Sequence, residues 1–110
     1  MIHVVIYQNE KEECTGFQTE GHAEYADPGQ DIVCAAASVL IINTRMSIEF
    51  IQKIHFLYFS DEETGMISWH LEGNPSKEAG LLLNTMILGL KGMADDENYE
   101  EYIDLTFEEV

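Results

Sequence analysis

Ile2, Val4 and Ile6 alternate with His3, Val5 and Tyr7 at the start of the chain. A period of two predicts a strand, and its apolar residues on both sides predict that both faces are covered. Asn9 to Glu13 reads as a polar turn, and Cys14 to Glu20 as the returning strand. From Ile32 to about Phe50 the period changes: Ile32, Ala36, Val39, Leu40 and Asn43 follow a helical repeat, with Ala35, Ala36 and Ala37 keeping one turn thin. His55–Phe59 and Met66–Leu71 form a second hairpin across a polar loop that ends in Gly65. Ser76 caps a second helix whose stripe is Ala79, Leu82, Leu83, Met86, Ile87, Leu90 and Met93, widened by Leu81 and Leu88. Asp95–Asn98 breaks that helix, and Ile103–Phe107 alternates as a closing strand.

The order β-β-α-β-β-α-β predicts an α+β domain. The expected architecture is one mixed, largely antiparallel five-stranded sheet with two main helices, one on each face; two helices on a single face, with the other face buried by a partner, would explain the same pattern. A chain of 110 residues supports one core, so residues 1–110 are read as a single domain. No repeat, linker or low-complexity stretch interrupts it.

Charge narrows the partners. Five basic side chains stand against 21 acidic ones, a formal charge of -16. That argues against a phosphate backbone as partner, which needs clustered Lys and Arg, and favours a basic protein or peptide. The chain opens directly on strand sequence, without a signal peptide's basic and apolar regions, and no apolar run is read as approaching a bilayer span of roughly 20 residues. The expected location is the cytoplasm, with Cys14 and Cys34 as free thiols rather than a disulfide.

The chemistry centres on the switch from strand to helix. Gly21, Pro28 and Gly29 bracket a loop, and Asp31 stands at the N-cap of the following helix. Cys34 is then the N3 residue, in a turn whose amides and dipole favour negative charge. His22, in the same loop, is within reach of folding back on that thiol. Cysteine with histidine makes an activated nucleophile, because imidazole exchanges protons near neutral pH. The competing reading is a small buried cysteine that lets a helix approach a sheet, beside a solvated histidine. Ser38, four residues after Cys34, shares its helical face and either meets substrate or bonds back to the Cys34 carbonyl. Cys14 is read as structural rather than as a resolving partner. His55 and His70 lack further ligands at metal spacing, so neither metal nor other cofactor is expected.

Gly21-His22-Ala23, a short glycine-containing loop and Asp31-Ile32-Val33-Cys34-Ala35-Ala36-Ala37-Ser38-Val39-Leu40 resemble the signature of the Prp family of ribosomal-processing cysteine proteases. The likeness spans nearly the whole chain. It implies a catalytic pair of His22 and Cys34, a homodimer, and removal of a short N-terminal extension from the twenty-seventh large-subunit ribosomal protein, next to a Phe-rich motif. Asp31 caps the helix, orients His22, or both. The helix-start amides, that of Cys34 included, are candidate oxyanion donors. Gly21 and Gly29 are candidate hinges for a loop that closes over bound peptide. The alternative function is a noncatalytic acidic protein that binds a basic ribosomal partner.

Overall fold

A computed structural model describes residues 1–110. Strands β1 (Ile2–Gln8), β2 (Cys14–Glu20), β3 (Phe56–Asp61), β4 (Met66–Leu71) and β5 (Ile103–Glu109) form one sheet in the order β3-β4-β2-β1-β5. Every pairing is antiparallel except β1 with β5. Helices α1 (Ile32–Ser47) and α2 (Lys77–Ala94) complete the fold. The element order is the one the periodicities predict.

The layering departs from expectation. Both helices lie on one face of the sheet rather than one on each. Val33, Ala37 and Ile41 of α1, Ala79, Leu83, Met86 and Leu90 of α2, and Ile2, Val4 and Ile6 of β1 all belong to one buried cluster. The helices also touch each other, Leu40 packing onto Gly89 at a distance a Cβ would bring to 3.0 Å. Val5 and Tyr7 face the open side. Their apolar character has a different cause: β1 is a central strand, flanked by β2 and β5, and cross-strand neighbours half-bury its outer face. Tyr7 and His70, for example, pack with tilted rings whose centroids are 5.0 Å apart.

α1 is also rotated from its expected orientation. Its buried residues are Val33, Ala37, Ile41 and Thr44, whereas Ile32, Val39 and Asn43 face outward. Apolar residues occupy both sides of this helix, so periodicity alone could not choose between them. Together α1 and the π-turn that continues it (Ile48–Gln52) run 21 residues, long and apolar enough by length and composition to cross a bilayer, contrary to the reading from the sequence. Here one face of that run is packed on the sheet. α2 follows its predicted stripe, with the Ser76 hydroxyl accepting from the Ala79 N–H at 3.1 Å.

The π-turn fixes one further feature. Glu49 accepts two bonds from Arg45 Nη1, at 3.0 and 2.9 Å, and a third from the Trp69 indole at 3.1 Å. Trp69 is fully buried between Phe17 and Phe56. The far end of α1 is thereby bolted to the sheet, and its near end is left to shape a cleft.

Candidate active site

That cleft is a cavity of about 340 Å³ between the first half of α1 and the β3–β4 hairpin. Cys34, Ala37, Ser38, Ile41 and Ile42 line one wall, Tyr58, Ser60 and Asp61 the other, and His22 closes one end. A shallower opening on the other side of Cys34 shares His22 and Ser38 and extends over Gly29 and Asp31. The wall residues of β3 were not legible as site residues, because only the fold brings an edge strand opposite α1.

Asp31 is the organising carboxylate. Its Oδ1 accepts from the N–H groups of Val33 at 3.0 Å and Cys34 at 2.9 Å, the geometry of an N-cap. Its Oδ2 accepts from the N–H groups of Tyr25 at 3.0 Å and Ala26 at 3.3 Å. One side chain therefore starts the helix and holds the loop before it. Partial burial works against its charge, but bonds from the Cys34, Ala26 and Tyr25 amides, helped by the Cys34 side chain, prevail and hold the carboxyl below the usual carboxylate range. Both oxygens accept from backbone amides, and neither is hydrogen-bonded to His22.

This cap narrows one expectation. The amides of Val33 and Cys34 donate to the Asp31 carboxylate, and that of Ala35 to the Asp31 carbonyl at 3.1 Å. They are not free to serve as oxyanion donors. A different donor faces the sulfur: the Ala23 N–H points at Cys34 Sγ across 3.3 Å. Ala23 is itself buried. A main-chain donor leaves no side-chain signal, so only its place after Gly21-His22 could have suggested it.

His22 shares the cavity with Cys34 but makes its hydrogen bond elsewhere, with Nε2 lying 3.3 Å from the Glu63 carbonyl oxygen. Ser38 lines both openings with its hydroxyl free, bonded neither to the sulfur nor to the Cys34 carbonyl. The two loop glycines differ. Both have positive φ, +88° at Gly21 and +85° at Gly29, which favours glycine. A Cβ on Gly21 would strike the Met1 carbonyl oxygen, whereas one on Gly29 would meet nothing within 4 Å. Gly21 is thus wedged and only Gly29 is open. Tyr25 adds a further tie, edge-on to Tyr102 at 5.0 Å.

Cys14 is remote from this cavity. It is 2% exposed, its thiol donates to the Gly16 carbonyl at 3.4 Å, and burial pushes it up to about 11. It is a packing residue. No disulfide links it to Cys34.

A cysteine at a helix start and a histidine lining the same partly apolar cleft are the parts that a thiol-nucleophile enzyme needs. The comparisons place the chain more narrowly. Residues 1–104 match the family described as Cysteine protease Prp. The ribosomal processing cysteine protease Prp of Staphylococcus aureus is 30% identical over 107 residues, covering 97% of this chain and 99% of that protein. Its counterpart in Bacillus subtilis is 24% identical, with 96% of each chain covered. The crystal structure of the S. aureus protease with a covalently linked product peptide superposes with a TM-score of 0.89 at 30% identity, over 98% of this chain and 100% of that one. The same enzyme with a substrate peptide gives 0.84 at 29% identity and the same coverage. This chain belongs to the Prp family of cysteine proteases.

Proposed function

We propose that this protein is an endopeptidase that removes the short N-terminal extension of a basic large-subunit ribosomal protein, the twenty-seventh of the L series, with Cys34 as nucleophile and His22 as general acid and base. The Cys34 sulfur attacks the scissile carbonyl carbon while its proton passes to His22. As the tetrahedral intermediate collapses, the C–N bond breaks and His22 returns the proton to the departing amine. Water, deprotonated by His22, then attacks the thioester, the C–S bond breaks, and the carboxylate product leaves the regenerated thiol. The Ala23 N–H, which donates to the Cys34 sulfur, holds the nucleophile in place at the cleft.

The observation that carries this reading is the sulfur of Cys34 opening, with His22, into a cleft walled by Ile41, Ile42 and Tyr58, which suits an apolar or aromatic peptide side chain. Ser38, with a free hydroxyl on that cleft, is a substrate contact. The charge of -16 complements a basic substrate and disfavours nucleic acid. A cytoplasmic homodimer, with no role at a membrane, completes the proposal. Outward-facing Leu81 and Leu88, 68% and 73% exposed on α2, supply an apolar surface for pairing.

The direct test incubates substoichiometric protein with the extended precursor and follows the precursor's mass, with Cys34→Ala in parallel. Loss of a short N-terminal peptide with the parent alone is the expected result. Stoichiometric binding of intact precursor by both forms would instead make this an acidic binding protein.

A further inference from the structure

The tip of the β3–β4 hairpin grips the histidine loop at three places. The Gly21 N–H donates to the Thr64 carbonyl at 2.9 Å. His22 Nε2 lies 3.3 Å from the Glu63 carbonyl oxygen. Gly65, at φ +69°, sits so close that a Cβ there would stand 2.5 Å from the Gly21 carbonyl oxygen and 3.1 Å from His22 Cε1. The tip is short and firmly held, because β4 pairs with β2 from Ile67↔Thr19 onward.

We propose that this hairpin tip is the positioning element of His22, and that the Glu63 carbonyl holds the ring with its proton on Nε2, leaving Nδ1 to exchange the proton with Cys34. The inference rests on the reading of His22 as the acid and base. A carbonyl oxygen only accepts, so the nitrogen facing it must carry the hydrogen. In the neutral ring the other nitrogen then holds the lone pair. Asp31, the carboxylate that sequence suggests for this task, spends both oxygens on four backbone amides. The third member of the site is therefore an uncharged main-chain oxygen. It fixes the tautomer without placing a full negative charge beside the imidazole.

Gly65 makes the proposal testable. Gly65→Ala brings a methyl group into backbone that cannot yield, so the tip and the histidine loop must part. Gly73→Ala is the matched control, since it also has positive φ, +100°, but open space around its Cβ. Two readouts are needed: two-bond ¹⁵N–¹H imidazole spectra with the rings neutral, His22 being assigned from His22→Gln, and the pH profile of Cys34 alkylation by iodoacetamide. The expected results are an Nε2–H tautomer for His22 in the parent and in Gly73→Ala. Gly65→Ala should give mixed tautomers, with alkylation near neutral pH slowed about tenfold or more toward the His22→Gln profile. An Nδ1–H tautomer in an active parent overturns the inference, as does a Gly65→Ala protein that keeps both the parent tautomer and profile. If Gly65→Ala does not fold, the parent tautomer decides alone. Identical alkylation profiles for the parent and His22→Gln would remove His22 as acid and base, and the inference with it.

Discussion

The two cysteines show how far position decides what a thiol does. Cys14 begins a strand, is buried, and donates a hydrogen bond to a carbonyl. Cys34 begins a helix, is half-buried, lines a cavity, and receives an N–H from Ala23. One sulfur is a donor inside a core. The other accepts an N–H at an open cleft, where a ligand can reach it.

The largest expected effect breaks this contrast outright. Cys34→Ala should lower precursor cleavage by roughly ten-thousandfold or more, since a lost nucleophile disables the whole mechanism. Cys14→Ala should leave cleavage within about twofold and instead cost about 1–2 kcal/mol in urea unfolding, through the lost burial and the small void. Equal losses of cleavage for the two variants would erase the distinction.

Alkylation sharpens the same comparison in the folded protein. A thiol that titrates at about 11 is ionised to roughly one part in a thousand at about pH 8, and Cys14 is buried besides. Iodoacetamide should therefore add one group to the native chain, at Cys34, and a second only after denaturation. Peptide mass mapping reads both sites. Early native labelling at Cys14 would show that its end of the sheet opens.

Asp31 tests what keeps Cys34 in place. Asp31→Ala removes the cap, with an expected loss of about 0.5–2 kcal/mol and a Tm lower by roughly 4 °C per kcal/mol. Asn is also a good cap, so Asp31→Asn retains the bonds from Val33 and Cys34. Its amide nitrogen, however, then faces the Tyr25 and Ala26 amides, donor against donor. Asp31→Asn should thus lose less stability than Asp31→Ala yet still slow Cys34 alkylation. Thermal unfolding and alkylation rates separate the two functions of this carboxylate.

The same contrasts explain what was legible in the sequence. The cap at Asp31 and the N3 place of Cys34 follow from local spacing, and local spacing survives folding. The stripe of α2 was readable because its apolar residues cluster about one side, with only Leu81 and Leu88 outside. α1 was misread because it is apolar all round, and only its neighbours decide that Val33 and Ala37 go inward. The helices' shared face was hidden for a related reason, since a central strand has half-buried side chains on its open face too. The hairpin's grip on His22 was out of reach. Gly65 reads as a turn residue, and its approach to Gly21 joins positions far apart in the chain.

Acid should remove stability in two separate windows, the smallest effect expected here and one that neither cysteine supplies. His70, on the open face beside Tyr7, is held below its ordinary value of 6.5 because burial disfavours its charged form. The unfolded chain then takes up the proton first, so stability rises with pH in that range and is lost as pH falls below about 6.5 through the lowered value. Asp31 acts further down. Its carboxyl is held below 3.8 against the opposing effect of burial, so its contribution is complete above that value and disappears as pH falls through the lowered one. Urea unfolding at successive pH values should show His70→Gln flattening the upper window alone and Asp31→Asn the lower alone. Cys34 alkylation should follow only the second substitution, because His70 lies on the face of the sheet opposite the helices and Asp31 binds the Cys34 amide directly.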